Sequence, residues 1–282
     1  MDRVAQLIRD CSIELSPRDE LAGEALRKLL DPGATVFVNH PPSVTYHDIV
    51  AACVRLHRAG FVAVPHVAAR RLVSFTQASD FLQRATSEAA VDRVLLIGGD
   101  DSPVGPFRAS LDLLATGLLE RHAIHHVAFG GYPEGHPAID AATLDAALQA
   151  KVALARKGGL NVSLVTQFGF EAEPIQHWIA AQRAHGIDCP VYVGVAGPAS
   201  VATLAKFAIR CGIGASLRAL ARGHTAFARI MSEAGPDTLI AELAASETPI
   251  EGLHIFTFGG VRRTTEWIRA KTTESIAFPG SP

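Results

Sequence analysis

The stretch RVLLIGGD, residues 93–100, decides the fold class, because it joins a continuous apolar run to a glycine pair and a carboxylate. A continuous run of Val, Ile and Leu, unlike an alternating one, is typical of a strand buried on both faces of a parallel sheet. Similar β-rich runs recur along the chain, and helical patterns lie between them. The predicted strands are residues 12–15, 35–39, 61–66, 93–98, 126–130, 162–167, 190–195 and 253–258.

Helical periodicity occupies the intervals between these runs. Three sets of apolar residues are each predicted to share one helix face: Ile49, Cys53 and Leu56; Phe107, Leu111, Leu114 and Leu118; and Ile175, Trp178 and Ile179. Residues 215–245 are predicted to hold more than one helix, with a break at Gly235 and Pro236. Eight strands alternating with helices predict an α/β fold, a (β/α)8 TIM barrel formed by residues 1–282 as a single domain.

A doubly wound parallel sheet is the competing architecture. It usually places a glycine-rich turn directly after its first strand. Residues 13–18, IELSPR, contain no glycine, and neither Gly-x-Gly-x-x-Gly nor a Gly-Lys-Ser/Thr P-loop occurs in the chain. The pattern therefore favours the barrel.

Charge and hydropathy exclude several function classes. The 282 residues carry 26 Lys and Arg against 28 Asp and Glu, a net charge of −2, which gives no support to nucleic-acid or polybasic membrane binding. No apolar run reaches the roughly 18–20 residues of a membrane span, and the N-terminal residues lack the pattern of a secretory signal. Four separated cysteines predict reduced, mostly buried thiols in a cytoplasmic protein. They are Cys11, Cys53, Cys189 and Cys211.

Polar side chains interrupt or follow the first six predicted strands near their carboxyl ends, where a TIM barrel carries its chemistry. In chain order they are Glu14, Asn39, His66, Asp100, Tyr132, Glu134, His136 and Gln167. We expect them to line one mouth of the barrel as a ring of carboxylates, amides and imidazoles. No His-x-His or His-Glu-x-x-His motif is present, so no metal site is predicted.

Most of these residues also have a structural interpretation. Glu14 is either a solvated strand end or a proton donor, because a carboxyl in an apolar stretch holds its proton more tightly. Asp100 is either a turn or N-cap residue, or an acid beside a flat ligand that the preceding glycines let approach the backbone. Gln167 needs hydrogen-bond partners, which a planar heterocycle would supply. Phe207 lies on an apolar helical stripe, so core packing is its default interpretation.

The chain resembles the methylenetetrahydrofolate reductase family, the flavin-dependent barrel enzymes of one-carbon metabolism, from about residue 13 to residue 267. The most distinctive match is GYPEGHP at residues 131–137. The others are SIELSP at 12–17, LIGGD at 96–100, VTQFGFE at 165–171 and PVYVGV at 190–195. The resemblance implies hydride transfer from NADH or NADPH to FAD, and then from reduced FAD to 5,10-methylenetetrahydrofolate, which gives 5-methyltetrahydrofolate in a ping-pong scheme.

The resemblance also assigns roles by position. It implies that Glu14 protonates the folate and that Asp100 lies near the flavin and the pterin. Gln167 would contact the pterin, Phe207 would pack against the ligand on the flavin, and Phe256 stands at a substrate-binding tyrosine position. The implied FAD contacts are Asn39, His66, Gly99, Asp100, Tyr132 and His136, with Lys151 or Arg156 at the FAD phosphates and ribose.

Departures from the family pattern occur at the last strand and in the helix before Gln167. Residues 256–260 read FTFGG where the family has Tyr-Thr-Leu-Asn-Arg, and Arg262 or Arg263 would have to supply the cation for the folate tail. Two other functions stay open: a non-catalytic or regulatory folate-binding barrel without tight FAD binding, and a pterin-dependent methyltransferase. In each case we expect a small-molecule folate partner, no nucleic acid and no membrane, and a homo-oligomer is a further option.

Overall fold

The computed structural model describes residues 3–19, 23–213 and 235–277. Eight strands are hydrogen-bonded in chain order around a closed parallel barrel, which confirms the predicted (β/α)8 TIM barrel. The strands are β1 Ser12–Leu15, β2 Thr35–Val38, β3 Val62–Ala68, β4 Arg93–Ile97, β5 His126–Gly131, β6 Asn161–Gly169, β7 Val191–Ala196 and β8 Gly252–Phe256. Each of them overlaps its predicted run.

Helices alternate with the strands as expected. The helices in the described residues are α1 Arg3–Arg9, α2 Tyr46–Arg58, α3 Phe75–Ala89, α4 Ser110–Leu114, α5 Leu118–Arg121, α6 Ala141–Lys157, α7 Ala172–Ala184, α8 Val201–Cys211, α9 Gly235–Ala245 and α10 Val261–Ala277. Short 3₁₀ turns lie at Glu24–Lys28 and Ala69–Arg71. In the described part of the chain, no helix combines the length and apolar character that a membrane crossing requires.

Three sequence predictions about elements have different outcomes. The single helix expected to unite Phe107 with Leu118 is wrong: α4 and α5 are separate because Gly117, at φ 65°, adopts the left-handed conformation that ends a helix. The last strand stops at Phe256, and a backbone hydrogen bond from Gly260 to Thr257 turns the chain into α10. Helix α9 begins at the predicted break, whereas the remainder of the predicted helical stretch, residues 214–234, lies outside the described residues.

The chain forms two compact units. The first unit comprises Met1–Ile13, Gly131–Leu144 and Val165–Pro282, and the second comprises Glu14–Gly130 and Asp145–Leu164. The single-domain organisation of residues 1–282 stays a prediction.

Each unit buries the helix faces that the sequence indicates. In the second unit the stripe of Ile49, Cys53 and Leu56 on α2 has no exposed surface. In the first unit Ile175 and Ile179 are buried on α7. Trp178 lies so close to Gly131 that a Cβ there would be 2.5 Å from the indole, which only glycine avoids.

Candidate active site

A hydrogen-bonded carboxyl group lies in the second unit where the first three strands supply Glu14, Asn39 and His66, here called the Glu14 group. Asn39 Nδ2 donates to Glu14 Oε1 at 3.1 Å. His66 Nε2 lies 3.3 Å from Glu14 Oε2, and the two side chains are only 9% and 13% exposed. Three of the predicted site residues therefore come together around one partly buried carboxyl group.

The strands hold this group through backbone contacts. Asn39 follows β2 directly, and its backbone N–H donates to Leu15 O at 3.0 Å. This hydrogen bond fixes the Asn39 backbone against the end of β1. The His66 ring meets Phe37 edge to face, with centroids 6.1 Å apart. The carboxyl group and the imidazole are each able to carry a proton, and Oε2 lies 3.3 Å from Nε2.

One acceptor of the Glu14 group, an amide oxygen, has no partner in the part of the chain that the structure describes. Asn39 Oδ1 is buried and makes no hydrogen bond within the described residues. A buried, unsatisfied acceptor carries a desolvation cost that a ligand donor would remove. Open space also lies at the end of β4, because a Cβ on Gly98 would have no atom within 4 Å.

Asp100 is exposed, directly after Gly99, which adopts a φ of 92° that favours glycine. The adjacent Asp101 forms an ion pair with Arg71, whose Nη1 also donates to His40 O. Arg70 donates through Nη1 to Gly99 O at 3.0 Å. Sequence reasoning missed both arginines, since most of their contacts are to backbone carbonyls of distant loops.

His40 is buried beside the Glu14 group. Its Nε2 donates to Val44 O at 3.1 Å, and its ring lies edge-on to Tyr46. Burial, with help from the Arg71 charge, lowers the pKa of His40 to about 4. The imidazole is therefore neutral at ordinary pH and acts as a fixed part of the turn after β2.

Lys151 and Arg156, predicted at the FAD tail, lie on α6. Lys151 Nζ sits 5.2 Å from the centre of the Phe129 ring, and burial lowers its pKa to about 8. Arg156 is exposed in the last turn of the helix. Their phosphate and ribose contacts stay predictions.

Gln167, in the first unit, holds the loop that follows β5. With its amide oriented to satisfy both ends, its nitrogen donates to Gly135 O at 3.1 Å and its oxygen accepts from Glu134 N at 3.2 Å. The expectation that a heterocycle supplies all its partners is thus too simple. One N–H and one lone pair remain for another group.

Tyr132 and His136 lie on the loop that Gln167 holds. Their rings meet edge to face, with centroids 5.4 Å apart. His136 Nδ1 accepts from the Ala138 N–H at 3.1 Å, which leaves Nε2 as the remaining polar atom of the ring. Gly135, at φ 85°, permits the tight turn between the two side chains.

Five phenylalanines meet in the first unit and are here called the phenylalanine cluster. Its members are Phe168, Phe170, Phe207, Phe256 and Phe258. Phe207, on α8, stacks on Phe258 with ring centres 4.0 Å apart and planes 16° apart. The predicted substrate residues Phe207 and Phe256 are both half-buried members, so core packing and ligand contact are compatible.

The cysteines are four free thiols, of which Cys11, Cys53 and Cys189 are buried. Burial raises the pKa of both Cys11 and Cys53 to about 12, so these thiols are unreactive. Within residues 3–19, 23–213 and 235–277, no cluster of three His, Cys, Asp or Glu side chains could hold a metal ion.

Comparison with known proteins shows no family for this chain. No protein-family model matches the chain. Among solved structures, the chain is similar to dihydropteroate synthase from Thermus thermophilus, with 15% sequence identity and a TM-score of 0.48. That match covers 94% of this chain and 92% of the other. What this protein does therefore has to be inferred from its own residues.

Proposed function

We propose that this protein is a flavin-dependent oxidoreductase that interconverts 5,10-methylenetetrahydrofolate and 5-methyltetrahydrofolate, with NADH or NADPH as electron donor. The observation that carries the proposal is the partly buried Glu14 carboxyl group, which accepts from Asn39 and lies 3.3 Å from His66 Nε2. The family resemblance assigns the proton donor to this position, and the contacts around Glu14 suit that role.

Glu14 opens the five-membered ring of the folate. Protonation of N10 lets the bond from N10 to the bridging carbon break, and the electron pair of that bond goes to N10. The carbon is left as a cationic iminium on N5, which accepts a hydride to become the methyl group. A partly buried carboxyl group with an imidazole nitrogen 3.3 Å away is suited to this transfer, since a general acid contributes roughly 10²–10⁴-fold.

The residues of the second unit fit the ring end of FAD. The unsatisfied Asn39 Oδ1 would accept an N–H of the flavin, and the open space at Gly98 leaves room for a flat ring against the backbone. FAD, when bound, would supply the hydride chemistry. The exposed Asp100 carboxylate would stabilise the cationic iminium electrostatically.

Gln167 and three aromatic residues would serve the substrate. The free N–H and lone pair of Gln167 match the donor and acceptor edge of a pterin. Phe207, backed by Phe258, would present an aromatic face to the ligand. Phe256 stands where the family tyrosine hydroxyl is absent, so substrate contact there would be apolar.

Anaerobic stopped-flow spectroscopy tests the proposal. Purified protein should be yellow, NADH or NADPH should bleach the flavin, and 5,10-methylenetetrahydrofolate should restore its absorbance. A colourless protein that FAD cannot reconstitute, yet which binds folate, would instead support the non-catalytic barrel. Folate-dependent methyl transfer without flavin would support the methyltransferase.

A further inference from the structure

Three loops of the second unit are tied together by two consecutive arginines, Arg70 and Arg71, here called the arginine latch. Both belong to the 3₁₀ turn directly after β3, the strand that carries His66. In the loop after β4, Arg70 donates to Gly99 O and Arg71 pairs with Asp101. Arg71 also donates to His40 O in the turn after β2. The latch thus joins the ends of β2, β3 and β4.

The turn after β2 links the arginine latch to the Glu14 group. His40 follows Asn39 directly, so the guanidinium that binds the His40 carbonyl fixes the backbone next to the amide that donates to Glu14. The Arg71 side chain is only 14% exposed, whereas its partner Asp101 is 43% exposed. A planar guanidinium can donate to both groups at fixed angles, which a lysine ammonium does not reproduce.

We propose that Arg71, anchored by Asp101, is a positioning residue that acts through Asn39 to hold the Glu14 carboxyl group in place. This inference rests on the proposed function for its kinetic consequence. Arg71 contacts Asp101 and the His40 carbonyl, so its loss should slow the folate half-reaction, which needs the Glu14 proton, more than the reduction of the flavin. Reduction of the flavin by NADH or NADPH does not need the Glu14 proton.

A double-mutant cycle tests whether Arg71 acts through Asn39. Arg71→Met and Asn39→Ala should each lower folate turnover about 10-fold, because a small misplacement of a catalytic group can cost up to ~10²-fold. The double variant should be no slower than Asn39→Ala alone within about 2-fold, since coupled residues are not additive. Reduction of the flavin should fall less than folate turnover in Arg71→Met, and the double variant should reduce the flavin within about 2-fold of Asn39→Ala, whose side chain would itself meet the flavin.

Arg84→Met is the matched control. Arg84 also pairs with a carboxylate, Glu88, but on the exposed face of α3, so its loss should leave both half-reactions unchanged. Arg71→Lys should show an intermediate loss of folate turnover. Losses that multiply in the double variant, or a parallel loss of flavin reduction in Arg71→Met, would overturn the inference.

The same cycle measured by urea unfolding separates this inference from the proposed function, because it needs no substrate. If Arg71 and Asn39 are coupled, the unfolding equilibrium constant of the double variant should differ by more than about 2-fold from the product of the two single effects. Coupling without any folate turnover in wild type would refute the proposed function and leave the latch standing. Independent effects of the two substitutions on unfolding would refute the latch. Should Arg71→Met fail to fold, Asp101→Asn replaces it and should show the same coupling more weakly.

Discussion

The Glu14 group and the phenylalanine cluster lie in different units and differ in what holds them. In the Glu14 group a partly buried carboxyl group is contacted by an amide and an imidazole. In the phenylalanine cluster, contacts are between aromatic rings and aliphatic side chains. We therefore expect substitutions in the Glu14 group to change the rate of the folate half-reaction more than the free energy of unfolding. Substitutions in the phenylalanine cluster should change the free energy of unfolding more than the rate.

Phe168→Ala should have the largest effect on stability. Phe168 is 1% exposed and contacts Phe170, Phe256 and Phe258, so its loss should lower the free energy of unfolding by about 3–5 kcal/mol. Urea unfolding measures the change. Phe75→Ala is the control, since that ring is 54% exposed and touches only Phe107 among the described rings. If Phe168→Ala and Phe75→Ala lowered the free energy of unfolding equally, the phenylalanine cluster would not have the stabilising role assigned to it.

Acid should lower the free energy of unfolding through His40, which lies beside the Glu14 group. Its pKa is lowered from 6.5 to about 4 in the folded protein, so between these values the unfolded chain binds a proton that the folded chain does not. The free energy of unfolding should therefore fall as the pH drops from 6.5 to 4, with His40 contributing about 3 kcal/mol.

Urea unfolding of His40→Gln should show a smaller decrease in the free energy of unfolding between pH 6.5 and pH 4 than wild type shows. The exposed His177, changed to Gln, should leave the decrease as it is. A His40→Gln variant with the full wild-type pH dependence would show that other groups cause it.

The sequence predicts the fold almost completely, because each strand is a compact apolar run that periodicity can detect. It also predicts Glu14, Asn39 and His66, since each is a polar residue at an otherwise apolar strand end. The arginine latch escapes prediction because Arg70 and Arg71 look like any exposed basic pair. Their contacts depend on loops 30 or more residues away, to Asp101 and His40.

The same limit applies to Gln167 and Phe207. A strand-end amide predicts a need for partners but cannot say that a loop backbone supplies two of them. An apolar stripe on α8 predicts burial but cannot say that Phe258, just beyond the last strand, becomes the stacking partner of Phe207. Both are contacts between distant segments, which local pattern does not encode.

Phe207→Leu should have the smallest effect on stability of these substitutions. Loss of a half-buried ring stacked on Phe258 should cost about 0.5–1.5 kcal/mol of unfolding free energy. If Phe207 also meets the folate, the KM for 5,10-methylenetetrahydrofolate should rise while flavin reduction stays unchanged. An unchanged KM would assign Phe207 to packing alone and would sharpen the contrast between the two regions.

The assignment of Glu14 is tested most directly by Glu14→Gln, with the two half-reactions followed separately. Glutamine keeps the shape of the side chain but cannot donate an acidic proton. Flavin reduction by NADH or NADPH should persist, whereas reoxidation by 5,10-methylenetetrahydrofolate should fall by roughly 10²–10⁴-fold. Normal reoxidation in Glu14→Gln would contradict the claim that the Glu14 carboxyl group is the proton donor.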